Sequence, residues 1–143
     1  MHYRMTSVLC ICLLGLGLCA TAHALSGFTV VPHPTQEELE QGFDRWSQDY
    51  PGRFTYEVRG TTPGGRPVLM GRITDRGVPD ENKQIALLTS CHVGKELNAG
   101  TGLLRFMKWL LSDDPEAAEI RRRQIVLVVP YTDPDGVASG NRD

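Results

Sequence analysis

The stretch LLTSCHVGKELNAGTGLL, residues 87–104, sets an imidazole and a carboxylate four positions apart, His92 and Glu96. They stand where a continuous apolar run gives way to an apolar pattern of helical spacing. Imidazole nitrogen and carboxylate oxygen are donors for a divalent cation, and a catalytic zinc takes three protein donors while leaving a fourth position open for water. Asp133 and Asp135, in YTDPDG at residues 131–136, follow a second apolar run and carry carboxylates that such a site could also use. Each residue has a plainer reading as well. A histidine in a polar turn is also what a solvated loop contains, Glu96 suits the start of a helix, where the dipole favours an acid, and Asp-Pro-Asp-Gly suits a turn on backbone grounds. Cys91 beside His92 suggests a thiol–imidazole pair, but neighbours on an extended segment point to opposite faces, so Cys91 reads as a buried, inert thiol. His33, between Pro32 and Pro34, reads as loop.

The segments around these residues decide where they can lie. Thr35-Gln36-Glu37-Glu38 is a capping-box pattern, followed by Leu39, Phe43, Trp46 and Tyr50 at helical spacing, so an amphipathic helix is expected up to Pro51-Gly52. Phe54, Tyr56 and Val58 alternate with polar residues as in a half-buried strand. The turn GTTPGGRP, residues 60–67, then leads to a second strand over 68–74, which predicts an antiparallel hairpin at a sheet edge. QIALLTS, residues 84–90, and QIVLVVP, residues 124–130, are continuous apolar runs of the kind that suits strands covered on both faces in the middle of a sheet. Between them lie helical patterns over 97–111 and in PEAAEIRRR, which opens with proline at a first helical position. Two strands joined through helix predict a right-handed crossover with the strands parallel. In such a sheet the catalytic groups gather at the carboxyl ends of the strands, where both His92 and the Asp133–Asp135 pair fall. The final residues, GVASGNRD, read as loop, leaving an exposed side on the strand at 124–130.

Residues 1–24 have the layout of a secretory signal peptide: Arg4, an apolar stretch from Val8 to Ala20, and Ala22-His23-Ala24 as a cleavage site. The apolar stretch is short of the roughly 20 residues of a membrane span, although an uncleaved anchor is the alternative. Cleavage would leave residues 25–143 as one domain, remove one positive charge and shift the formal net charge from -2 to -3. This balance does not suggest a nucleic-acid partner or an anionic membrane surface. It would also remove Cys10, Cys12 and Cys19, leaving Cys91 without an intramolecular disulfide partner. A secreted or periplasmic location is expected.

Taken together, DYPGRF, GTTPGGRP, the strand ending at His92 with Glu96 after it, and VVPYTDPDG resemble, in order and over Thr35 to Arg142, the zinc metallocarboxypeptidase family of the carboxypeptidase A and B type. Similar members carry a G-x-S-x-x-G-R-P-like turn, an H-x-x-E motif and a strand leading to N-P-D-G. Here the His–Glu spacing is one residue longer and Asp133 stands in place of the Asn.

The resemblance implies an α/β fold, a mixed sheet flanked by helices, of which residues 25–143 are the N-terminal half. It implies zinc as cofactor, His92 and Glu96 as its first two ligands, Lys95 as a contact to substrate, and Arg142 as the guanidinium that polarises the scissile carbonyl. The third ligand, a histidine, and the glutamate general base would follow Asp143, so this portion is expected to be inactive by itself. The activity implied is release of the C-terminal residue of a peptide, with cell-wall peptides or other amides as further substrates. The alternative is a non-catalytic secreted binding module or an inactive truncated homologue. Whichever holds, no stable membrane span is expected after cleavage.

Overall fold

The capping box at Thr35 starts the first helix. In the computed structural model, which describes residues 29–140, the Thr35 hydroxyl accepts the Glu38 N–H at 3.2 Å while the Glu38 carboxylate accepts the Thr35 N–H at 2.7 Å. The signal segment 1–24 and Arg142 lie outside the described residues. Helix α1, Gln36–Asp49, buries Leu39, Phe43 and Trp46. Their rings meet strand β1, Phe54–Thr61, edge-on: Phe43 and Trp46 stand 5.3 and 5.9 Å from Phe54 at 85° and 87°, an arrangement that suits the aromatic quadrupoles.

Strand β2, Pro67–Ile73, pairs antiparallel with β1, and the turn between them closes through Thr62 N–H to Arg66 O and Gly65 N–H to Thr62 O, each 2.9 Å. Gly65 has φ +80°, a conformation that glycine takes without a Cβ penalty. The expected hairpin is therefore present, and among the described residues β1 lies at a sheet edge.

Strands β3, Gln84–Thr89, and β4, Gln124–Val129, are parallel, as the crossover predicts. Between them run α2, Leu97–Leu111, and α3, Pro115–Arg123, the latter opened by Asp114 accepting from Glu116 and Ala117 N–H. The sheet order is β1-β2-β4-β3. This corrects two expectations. Among the described residues β3 lies at an edge rather than in the middle, with Ile85 and Leu87 at 69% and 61% exposure. β4, whose side was expected to be open, is paired with β2 on one side and β3 on the other. An unbroken apolar run does not reveal which of its faces is covered. Here Val126 and Val128 of β4, with Leu69 and Ile73 of β2, join Leu39, Phe43, Leu104, Met107, Leu110 and Leu111 in one core. Alternation along β3 puts Ile85 and Leu87 on the other face.

The segment after β4 is also more regular than expected. Pro134–Ser139 forms a short helix, α4, with Asp133 as its N-cap and Gly140 left-handed at its end. No helix among the described residues is long and apolar enough to cross a membrane.

Candidate functional site

Parallel pairing of β3 and β4 continues past both strands. Ser90 N–H donates to Val129 O, Thr132 N–H to Ser90 O and Asp133 N–H to Cys91 O, at 3.1, 3.1 and 3.0 Å. The two exits are thereby zipped together, and the residues that follow them share one edge of the sheet. Cys91 then takes φ +49°, a left-handed conformation uncommon for a side chain with a Cβ, and the chain leaves the sheet in a turn.

That turn brings His92 and Glu96 together. The His92 N–H donates to Glu96 Oε2 at 2.9 Å, and Glu96 N–H donates to Val93 O at 3.1 Å. Glu96 is the N-cap of α2, yet its carboxylate makes no cap bond and reaches back to His92 instead. The His92 ring is exposed, with Nε2 3.2 Å from Thr89 Oγ1, and Lys95 is exposed in the same turn. The sequence carried no signal for Thr89 as a partner of the imidazole; only the fold of the exit brings it there.

Cys91 is fully buried, and burial pushes its thiol upward from the ordinary value, which keeps it protonated and poorly nucleophilic. Its Sγ lies 3.3 Å from Glu96 O, which accepts from it. Gly100, one turn into α2, packs so closely that an added Cβ would stand 2.8 Å from both Cys91 Sγ and Tyr131 Cε1. The absence of a side chain there lets α2 begin directly against the strand exits.

The two aspartates serve the framework. Asp135 accepts Arg66 Nη1 at 2.7 Å, the Gly64 N–H at 2.9 Å and the Thr62 hydroxyl at 3.0 Å. The bond from Arg66, then that from Gly64, holds its carboxyl below the usual range. This clamp joins the β1–β2 turn to α4, so two segments 69 to 73 residues apart in sequence act as one unit. Asp133 Oδ1 accepts the Gly136 N–H at 2.9 Å and starts α4. His33 is less free than a bare loop residue: its ring lies 2.8 Å from Asn98 Oδ1 and its N–H donates to Thr101 Oγ1 at 2.9 Å.

The donor chemistry of His92 and Glu96 fits zinc, for an imidazole and a carboxylate on one turn are what such a site uses. They supply two donors. Among the described residues no group of three or more histidine, cysteine, aspartate or glutamate side chains is placed to hold a metal ion.

A family profile described as zinc carboxypeptidase matches residues 39–143. No curated protein matches the chain. Among solved structures, carboxypeptidase A from Helicoverpa armigera is similar with TM-score 0.68 and 20% identity over 73% of this chain and 25% of its own. Thrombin activatable fibrinolysis inhibitor has TM-score 0.67 and 12% identity over 78% and 30% of the two chains. A putative carboxypeptidase from Burkholderia mallei ATCC 23344 has TM-score 0.57 and 26% identity over 74% and 27%. The chain thus spans less than a third of each of these solved structures. Their shared fold accounts for the mixed sheet with helices against it, and the profile covers nearly every element of that sheet and its helices: this chain belongs to the zinc carboxypeptidase family.

Proposed function

We propose that this chain is the metal-binding front of a zinc-dependent carboxypeptidase, with His92 and Glu96 as two of the ligands. The observation that carries the reading is the His92–Glu96 turn at the carboxyl end of β3, within a chain of the zinc carboxypeptidase family. Zinc, when bound, polarises a carbonyl and lowers the pKa of a coordinated water.

The chain's own residues prepare that site. The Glu96 carboxylate, anchored by the His92 N–H through Oε2, keeps its other oxygen for a cation. Thr89 Oγ1 restrains the His92 ring at Nε2. Lys95, exposed between the two ligands, offers an ammonium to an anionic group of the substrate. Arg142 is the candidate for the guanidinium that stabilises the oxyanion. A third ligand and a general base would complete the site. The substrate is a peptide with a free C-terminus, cell-wall peptides included. The leader-like residues 1–24 support a secreted or periplasmic setting.

The test is hydrolysis of peptides by the full-length protein, with zinc content measured in parallel. We expect release of single C-terminal residues, loss of activity on chelation with 1,10-phenanthroline and recovery with zinc. His92→Ala and Glu96→Ala should each lose bound zinc. Zinc held at His92 without turnover would replace the enzyme with the binding-module alternative, and zinc content unchanged in both variants would overturn the site.

A further inference from the structure

Asp133 joins the end of β4 to the turn that carries His92 and Glu96. Its N–H donates to Cys91 O, immediately before His92, and its Oδ1 caps α4. Its other oxygen, Oδ2, is buried and has no hydrogen-bond partner among the described residues. A buried carboxylate oxygen without a donor is unfavourable unless another group compensates it. The place of Oδ2 is informative. A Cβ built on Gly136 would stand on Oδ2 and lie 3.1 Å from Gly94 N. Oδ2 therefore sits against the first turn of α4, next to Gly94, the middle residue of the segment from His92 to Glu96.

We propose that Asp133 is a positioning residue for the candidate zinc turn, and that its unpartnered Oδ2 places a fixed negative charge beside that turn which favours a cation held by His92 and Glu96. The proposal rests on the reading of those two residues as ligands. Carboxylates beyond the ligands commonly orient a metal site and tune its affinity. An unpaired, poorly hydrated carboxylate interacts with a nearby cation through a lower effective dielectric than a solvated one does. The cap and the bond to Cys91 need no charge: an amide or hydroxyl oxygen would accept from Gly136 equally well. The charge is the part of Asp133 that the framework does not require, and the part that a cation would compensate.

Zinc titration of the metal-free full-length protein separates these roles, with urea unfolding measured on each variant. Asp133→Asn and Asp133→Ser both keep a cap acceptor and remove the charge. We expect each to bind zinc about tenfold more weakly, the lower end of the effect of residues that support metal ligands, with a urea midpoint equal to or above that of the parent protein. Asp133→Ala, which loses the cap as well, should weaken zinc binding and lower the midpoint. If Asp133→Asn and Asp133→Ser fold and bind zinc as tightly as the parent, the charge has no role and the proposal is overturned. A loss of zinc binding that follows the urea midpoint across all three variants would reduce Asp133 to a structural cap, which also overturns it. Zinc affinity that His92→Ala leaves unchanged would instead overturn the ligand reading, and this proposal with it.

Discussion

Replacing Gly100 by alanine tests whether α2 is held hard against the strand exits, because two effects of known size oppose each other there. In a helix interior, Gly→Ala is favourable by about 1 kcal/mol. At Gly100, however, the new Cβ would stand 2.8 Å from Cys91 Sγ and 2.8 Å from Tyr131 Cε1. Neither neighbour is a loose chain end. Cys91 is fully buried, Tyr131 is nearly so, and the Tyr131 hydroxyl donates to Pro34 O. Forcing an extra methyl into such a site costs about 1–3 kcal/mol. The net expectation is a loss of about 1 kcal/mol, the difference between the overpacking cost and the helical gain. In urea this lowers the midpoint by about 0.5 M for a slope of about 2 kcal/mol/M.

The accompanying cycle identifies the contact. In the G100A background, Cys91→Ala should cost less stability than it does in the parent protein, because it removes one of the two atoms that the methyl meets; contacting residues couple by about 0.5–3 kcal/mol. Because Glu96 is the N-cap of α2, the same shift should weaken the proposed zinc binding. A midpoint that rises by the full helical gain, with additive effects in the cycle, would refute the reasoning: the neighbours would then yield freely and the close approach would not set the position of Glu96.

Two further outcomes follow from the framework. Asp135 has its carboxyl held down, first by the bond from Arg66 and then by that from Gly64. A group with a depressed folded-state pKa contributes stability above its unfolded value, about 3.9, and loses that contribution as the pH falls through the folded value. Asp135→Asn should therefore be less stable than the parent near pH 6, with the gap closing on acidification below about pH 4. Urea midpoints at stepped pH values check this, and a gap that stays constant or widens in acid would remove the clamp from the account. Thr35→Ala deletes the hydroxyl that accepts the Glu38 N–H and should cost about 1 kcal/mol, read as a lower urea midpoint; an unchanged midpoint would mean that α1 is held by its buried face alone.

Most elements were legible in the chain because their signals are local. Thr35 to Glu38 announces α1, Phe54, Tyr56 and Val58 announce β1, and Asp114-Pro115 announces α3. The same Asp-Pro start recurs at Asp133-Pro134, and only the brevity of α4 concealed it. At the site, His92 and Glu96 could be named from residue type and from their place between a strand and a helix. That Glu96 would bond back to His92 rather than cap α2 could not, because both geometries suit the same residues.

The sequence by itself determined the described helices and strands other than α4, that β3 and β4 run parallel, and that candidate ligands fall at a strand exit, since periodicity, capping and crossover length are properties of neighbouring residues. The tertiary structure alone decided that β4 is an interior strand between β2 and β3, that Asp135 locks the GTTPGGRP turn, and that Asp133 Oδ2 is buried beside Gly94. Each of these depends on which distant backbone arrives next to which. An apolar run or an aspartate is compatible with several neighbours, and only the packed chain selects one.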